Sequence, residues 1–181
     1  APKVVSAAAR AALVQAIGER RLTRGEHLFR EGDRAQTLYF IQSGLLRYYY
    51  LADGSEHTGQ FFDEGMFLAD VFSLTTDAPG SQNIDALEAT VVLTIPRAAL
   101  YAAYDADHAY ERFGRRVMEE VVAGSQRRSA SLLQKTPEER YAHFIAARPS
   151  VARRVPQYVI ASYLGITPEA LSRIRRRRAG A

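Results

Sequence analysis

Between Val155 and Arg178 the chain reads VPQYVIASYLGITPEALSRIRRRR, and one glycine in that stretch decides what it can become. Ile160, Ala161 and Leu164 share one helical face at i, i+1, i+4 spacing, with Pro156 suited to the first turn. Gly165 ends the pattern, because glycine takes a left-handed C-cap without steric cost. Thr167 can cap a new helix, Pro168 suits its first position, and Glu169 adds negative charge to its positive N-terminal end. The stretch is predicted as two short helices around a three-residue turn.

On the second helix Ala170, Leu171 and Ile174 fall on one side, which can pack. Glu169, Ser172, Arg173 and Arg176 fall on another at i, i+3, i+4, i+7, which can touch something. A helix-turn-helix that reads DNA needs these parts: a positioning helix, a tight turn, and polar side chains near the start of the second helix. Arg173 can donate two hydrogen bonds to guanine O6 and N7, and Glu169 can accept one from cytosine N4. Arg175, Arg177 and Arg178 are then expected at phosphates, with Thr167 at the helix start. The competing reading makes Glu169 and Arg173 an ordinary i,i+4 ion pair and the arginine run a solvated chain end.

The charge distribution favours the DNA reading. The net charge is +4, yet residues 153–181 hold seven arginines against one acid, Glu169, a balance of +6 that leaves about −2 for residues 1–152. A basic end on a neutral or acidic module is the electrostatic footprint of nucleic-acid binding. Cysteine is absent, so disulfides, thiolate-bound iron–sulfur clusters and thiol redox sensing are excluded. No apolar run approaches the ~20 residues of a membrane span, and the opening APKVVSAAARAALVQAIG resembles an amphipathic helix more than a secretion signal. A cytoplasmic protein without membrane partners is expected. The chain begins without methionine, as a processed or trimmed one would.

Residues 22–97 change character. LTRGEHLFREGD, LYFIQSGLLRYYYL, EHTGQFF and TVVLTIP are short β-rich runs bounded by Gly and Asp turns, and Asp53-Gly54 is a hairpin signal between Leu45–Leu51 and Glu56–Phe62. Such spacing predicts a barrel or jelly roll filled by Leu38, Phe40 and their alternates. Tyr48, Tyr49 and Tyr50 are expected as half-buried strand tyrosines with hydrogen-bonded tips. From about Tyr101 to Leu133 the period changes: Tyr110, Phe113, Val117, Val121 and Gly124 make a stripe along a long helix, with a bend or close approach near Gly124, Ser125 and Ser129. Thr136-Pro137-Glu138-Glu139 supplies a capping box for a further helix with Tyr141, Phe144 and Ile145 on its apolar face.

Gly25-Glu26, Gly32-Asp33, Leu38-Tyr39-Phe40-Ile41 and Gly44 resemble the glycine-punctuated strands of a cyclic-nucleotide-binding β-roll. With a long helix and a C-terminal helix-turn-helix after it, the chain is similar to the catabolite-activator and fumarate–nitrate-regulator (Crp/Fnr) family of bacterial transcription regulators. The resemblance implies an α+β fold: an N-terminal roll over 1–104, a dimerisation helix over 105–134 and a helix-turn-helix domain over 135–181. It further implies a homodimer joined through Tyr110, Phe113, Val117 and Val121, reading an inverted repeat in double-stranded DNA, with RNA polymerase as a further partner. Glu169, Ser172 and Arg173 match the Glu-x-x-Ser-Arg pattern of the fumarate–nitrate branch, which implies a TGA-like half-site.

Members that bind cyclic AMP carry a Gly-Glu pair for the ribose and an Arg followed by Ser or Thr for the phosphate. Here Gly65-Met66 and Gly80-Ser81 stand at those places, and Phe62, Gly65, Met66, Phe67, Gly80 and Ser81 are the effector-pocket candidates. A buried phosphate without a cation is heavily penalised, so cyclic AMP is not expected in the usual manner, and the effector stays open. Arg47 and Arg97 are alternative cations that no spacing supports. Haem has no ligand pair among His27, His57, His108 and His143, and no metal site is expected. No β-wing is expected after the arginines.

Two other classes remain. A jelly-roll metal enzyme needs clustered histidines and a carboxylate; no His-x-His pair exists, and adjacent Glu56 and His57 point to opposite faces of a strand, so no catalytic residue is expected. A ligand-binding module whose helical end only dimerises predicts that Arg173 and Glu169 matter for protein contacts alone.

Overall fold

The computed structural model describes residues 6–179. Helix α1 (Ala7–Ala16) precedes six strands: β1 (Gly18–Leu22), β2 (His27–Phe29), β3 (Thr37–Ser43), β4 (Leu46–Ala52), β5 (Ser55–Phe62) and β6 (Phe67–Leu68). A short helix α2 (Val71–Thr76) leads to β7 (Asn83–Ala86) and β8 (Thr90–Pro96). Six helices finish the described chain: α3 (Arg97–Ala106), α4 (His108–Gln134), α5 (Pro137–Ala147), α6 (Pro149–Arg154), α7 (Gln157–Leu164) and α8 (Pro168–Ala179).

The strands form two antiparallel four-stranded sheets, ordered β1-β8-β3-β6 and β2-β7-β4-β5, packed face to face as a roll. Asp53 and Gly54, with φ of 51° and 71°, make the two-residue turn between β4 and β5, and Ala52 pairs with Ser55 across it. Both residues need positive φ, which is why this dipeptide signals a hairpin. Between the sheets lie Leu22, Leu28, Phe29, Ile41, Leu46, Leu68, Ile84 and Val92. Leu38, Tyr39, Tyr48 and Phe62 pack against that core, so side chains fill the roll.

Helical punctuation falls where the chemistry demands. Thr136 and Glu139 form the reciprocal capping box that opens α5. Gly165 is the left-handed C-cap of α7 at φ 67°, and its N–H bonds back to Ala161 O and Ser162 O. Pro156, expected in the first turn of α7, is its N-cap instead. The helical stretch expected from Tyr101 is divided at Asp107, whose extended backbone ends α3 and whose carboxylate accepts from Ala109 N to start α4. Helix α4 then runs unbroken past Gly124.

Alternation along β5 ties the roll to the helices. Phe62 faces the roll interior, while Phe61 faces out and is fully buried with Leu45 among Phe144, Val151, Val159, Ile160 and Leu164. Phe61 lies 5.9 Å from the Phe144 ring and 4.9 Å from the Tyr163 ring. β5 is an edge strand, whose open N–H and C=O groups need cover. α7 supplies it: Ser162 Oγ accepts from Thr58 N at 2.9 Å and donates to Glu56 O at 2.7 Å. Arg148 donates to Phe61 O at 2.8 Å and to Asp63 at 2.7 Å. Arg154 bridges two roll turns, reaching Glu64 at 2.8 Å and Glu88 at 3.2 Å.

Truncating Phe61 opens a cavity in both halves at once, so Phe61→Ala is expected to cost about 3–5 kcal/mol in urea unfolding. The donors of Arg154 hold the Glu64 carboxyl down from 4.5 to about 2, with backbone N–H groups adding to the effect. A depressed folded-state pKa gives stability that is complete above 4.5 and lost as pH falls toward 2. Glu64→Gln is therefore expected to flatten the loss of stability across that window, measured by urea melts at stepped pH.

Candidate nucleic-acid interface

Thr167 caps α8 by accepting from Ala170 N at 3.2 Å. Leu171 and Ile174 turn inward and are buried, while Glu169, Ser172, Arg173, Arg175, Arg176, Arg177 and Arg178 are all exposed. The polar face of α8 is thus open along its length, and its apolar face packs toward α7 and α5. No ion pair joins Glu169 to Arg173. The Glu169 carboxyl sits below the usual carboxylate range because of backbone N–H at the helix start, then the Thr167 hydroxyl, with the field of Arg173 a smaller contribution. The i,i+4 pair of the competing reading is a weak field effect here.

The arginines divide by position. Arg175, Arg176 and Arg178 line an open cleft of about 480 Å³ between α8 and α5, with Ser172, Tyr141 and Ile145 on its walls. Arg177 pairs with Glu138 of α5 at 3.4 Å. Arg154, counted in the basic balance of the chain end, is held by Glu64 and Glu88 of the roll, so part of that balance belongs to the fold and does not face outward.

Two further arginines, which sequence reasoning passed over, converge on the turn before α8. Arg140 of α5 donates to Leu164 O at 2.9 Å and to Lys135 O at 2.6 Å. Arg128 of α4 donates to Tyr163 O and stacks on the Tyr163 ring at 4.0 Å. The Tyr163 and Leu164 carbonyls end α7, where the helix dipole is negative and cations are favoured, and the Lys135 carbonyl follows the end of α4. Their only sequence trace is that Arg128 continues the stripe four residues beyond Gly124.

Helix α4 buries none of its 27 residues. Tyr110 and Val117 of the expected stripe are half-buried; Phe113 and Val121 are 52% and 43% exposed, and Leu133 near the end reaches 85%. Phe113 also meets Phe67 of β6 edge-on at 5.7 Å.

The effector-pocket candidates meet different partners. Phe62 stacks on Tyr48 at 5.9 Å inside the roll, and burial pushes the Tyr48 hydroxyl up to about 12. Gly65 and Met66 form a turn beside Arg148, which reaches Met66 Sδ at 3.6 Å. Phe67 packs on Phe40 at 5.1 Å. Ser81 is exposed, and Gly80 exchanges backbone hydrogen bonds with Gly32 and Asp33. The acid that faces Gly80 is Asp70, the N-cap of α2, and not a residue of the Gly65-Met66 turn. A Cβ on Gly80 would lie 2.5 Å from Asp70 Oδ2 and 2.6 Å from the Phe29 ring.

Neither alternative cation reaches that point. Arg47 is bound by Asp85 at 2.8 Å and Glu56 at 2.6 Å and stacks on Tyr49 at 4.4 Å. Arg97 pairs with Asp77 at 3.3 Å. His27 bonds the Tyr49 hydroxyl, and among the described residues no group of three or more histidines and acids is placed to hold a metal ion. No helix of the described residues is long and apolar enough to cross a membrane. Because the Phe29 ring must shift to admit a methyl group, Gly80→Ala is expected to cost about 1–3 kcal/mol in thermal or urea unfolding.

Residues 19–107 match the family model of the cyclic nucleotide-binding domain. The chain is 30% identical to the transcriptional activator protein Anr of Pseudomonas protegens over 166 residues, covering 86% of this chain and 68% of that protein. FnrA of Stutzerimonas stutzeri, also a transcriptional activator, matches at the same identity and coverage. Among solved structures, FixK2 from Bradyrhizobium japonicum superposes with a TM-score of 0.78 at 23% identity, over 89% of this chain and 83% of that one. The roll, the long helix and the terminal helix-turn-helix are thus those of known transcription regulators, and the chain belongs to the Crp/Fnr family.

Proposed function

We propose that the chain binds DNA as a homodimer joined along α4, with the α8 helices of the two copies reading the halves of an inverted repeat. The observation that carries this reading is the two-sidedness of α8: Leu171 and Ile174 are buried while Glu169, Ser172 and Arg173 stand open near its N-terminus. Arg173 donates to a guanine and Glu169 accepts from a cytosine, while Arg175, Arg176, Arg177 and Arg178 meet phosphates. Phe113, Val117, Val121 and Tyr110 form the seam, and the two recognition helices sit about 34 Å apart, one turn of the duplex. The role is regulatory rather than catalytic, exercised in the cytoplasm with RNA polymerase as a further partner.

Cyclic AMP is not the signal in this reading. Asp70 and Phe29 fill the space where a phosphate-binding side chain on Gly80 would begin, and a carboxylate there repels an anion.

Selection of duplexes from a random library, with and without cyclic AMP, tests both parts. Enrichment of an inverted repeat in both arms is the expected result; enrichment only with the nucleotide would overturn the second part. On the selected duplex, Arg173→Ala is expected to cost ~1–3 kcal/mol and to relax specificity at one G·C pair. Arg178→Ala is expected to weaken every duplex alike and to lower the salt slope by about 1. Equal losses for Arg173→Ala on selected and random DNA would remove its base-reading role.

A further inference from the structure

A recognition helix can read a half-site wherever it is held, but a dimer reads two half-sites at one spacing only if both helices are fixed relative to the dimer axis. Beyond the contacts of α7 with the roll, α8 is tied to α4 directly and locally. The turn of residues 165–167 sets the direction of α8, and the two carbonyls before it, Tyr163 O and Leu164 O, are gripped by Arg128 and Arg140. Arg140 belongs to α5, inside the same helical unit as α8. Arg128 belongs to α4 and crosses 35 residues of sequence to reach the turn.

Arg128 is an odd residue for that place. Its Nε is buried and has no hydrogen-bond partner among the described residues, and no carboxylate balances its charge. Burial draws its guanidinium pKa down, opposed by the nearby tyrosines Tyr163 and Tyr48 and reinforced by the like charge of Arg140. A cation set there is held by geometry: a flat stack on the Tyr163 ring and a bond to the carbonyl at the negative end of α7. Leu132, one helical turn further along α4, places its Cδ2 3.5 Å from where a side chain on Gly165 would begin. Two successive turns of α4 thus bear on the one turn that orients α8.

We infer that Arg128 is the positioning residue that sets the half-site spacing this chain accepts, by fixing the turn before α8 to the helix that carries the dimer seam. The inference rests on the proposed dimeric DNA reading. It assigns Arg128 no contact with DNA. Removing it leaves Glu169, Ser172 and Arg173 in place on α8 and the helical unit seated on the roll through Phe61 and Ser162, but loosens the angle between α8 and the long helix.

The test is a set of duplexes carrying the selected half-sites with the spacer shortened or lengthened one base pair at a time, together with a duplex carrying one half-site. The wild-type full chain is expected to prefer one spacer by about tenfold or more over its neighbours. Arg128→Ala is expected to flatten that preference to within about threefold, while affinity for the single half-site stays within about twofold of wild type. Tyr163→Ala, which removes the stacking ring, is expected to flatten it in the same way. Arg128→Lys keeps the charge but not the planar stack, and is expected to fall between wild type and Arg128→Ala.

Retention of the wild-type spacing preference by Arg128→Ala overturns the inference. So does a parallel loss of single-half-site affinity and of melting temperature, which marks a merely structural residue. If Arg128→Ala does not fold, the same comparison is decided on Arg128→Lys, where an unchanged preference is again the overturning result. Failure of the wild-type chain to bind any inverted repeat is a different failure, that of the dimeric reading, and is seen before any variant is made.

Discussion

Phe61 is the point on which the two halves of the molecule turn. Consecutive residues of a strand face opposite ways, so β5 sends Phe62 into the roll and Phe61 out of it. An outward phenylalanine at an edge strand must be covered, and the cover is the helical unit itself, through Phe144, Tyr163 and Leu164. The hydrogen bonds of Ser162 to the β5 backbone follow from that placement, as do the arms of Arg148 and Arg154 around the neighbouring turns. Helix α8 is therefore not a separate bead on a linker. Its seat is inherited from the sheet through α7, and α4 bears on the turn that leads into it.

Electrostatics then sorts the arginines by what surrounds them. Arg47 sits inside the sheet with Asp85 and Glu56, where loss of a partner would leave a buried uncompensated charge. Arg148 and Arg154 lie at the rim between the halves, part-buried in pairs with Asp63 and with Glu64 and Glu88. Arg128 and Arg140 sit at helix-end carbonyls. Among the described residues of α8, Arg173, Arg175, Arg176 and Arg178 carry no ion pair, and theirs is the charge that faces outward. A count of charge along the chain merges these four situations into one number.

Local chemistry was legible in the residues; distant contact was not. Gly165, Thr167, the Thr136 and Glu139 box and Asp53-Gly54 each act within four residues of themselves, and each makes the cap or turn its chemistry demands. The exposed face of α8 was readable for the same reason, since helical period alone separates Leu171 and Ile174 from Glu169 and Arg173. The helices α2 and α6, six residues each, are too short to show a period. The break at Asp107 depends on one side chain capping two residues on. Arg128, Arg148 and Arg154 meet partners 35 to 90 residues away, and nothing in their sequence neighbourhood separates them from arginines that face solvent. The effector candidates illustrate the same limit: the sequence puts Gly65-Met66 where a Gly-Glu pair would stand, but only the folded chain brings Asp70 against Gly80.

The unburied length of α4 has a consequence for how such a protein behaves in quantity. A 27-residue helix with no buried residue gains little from its own chain, so in the proposed dimer most of its packing energy comes from the second copy. Folding and pairing are then one equilibrium, with the number of molecules per cell as a variable in it. Dilution would loosen the helix as well as separate the copies, so a rise in copy number acts twice, once on how much protein is present and again on what fraction of it is intact.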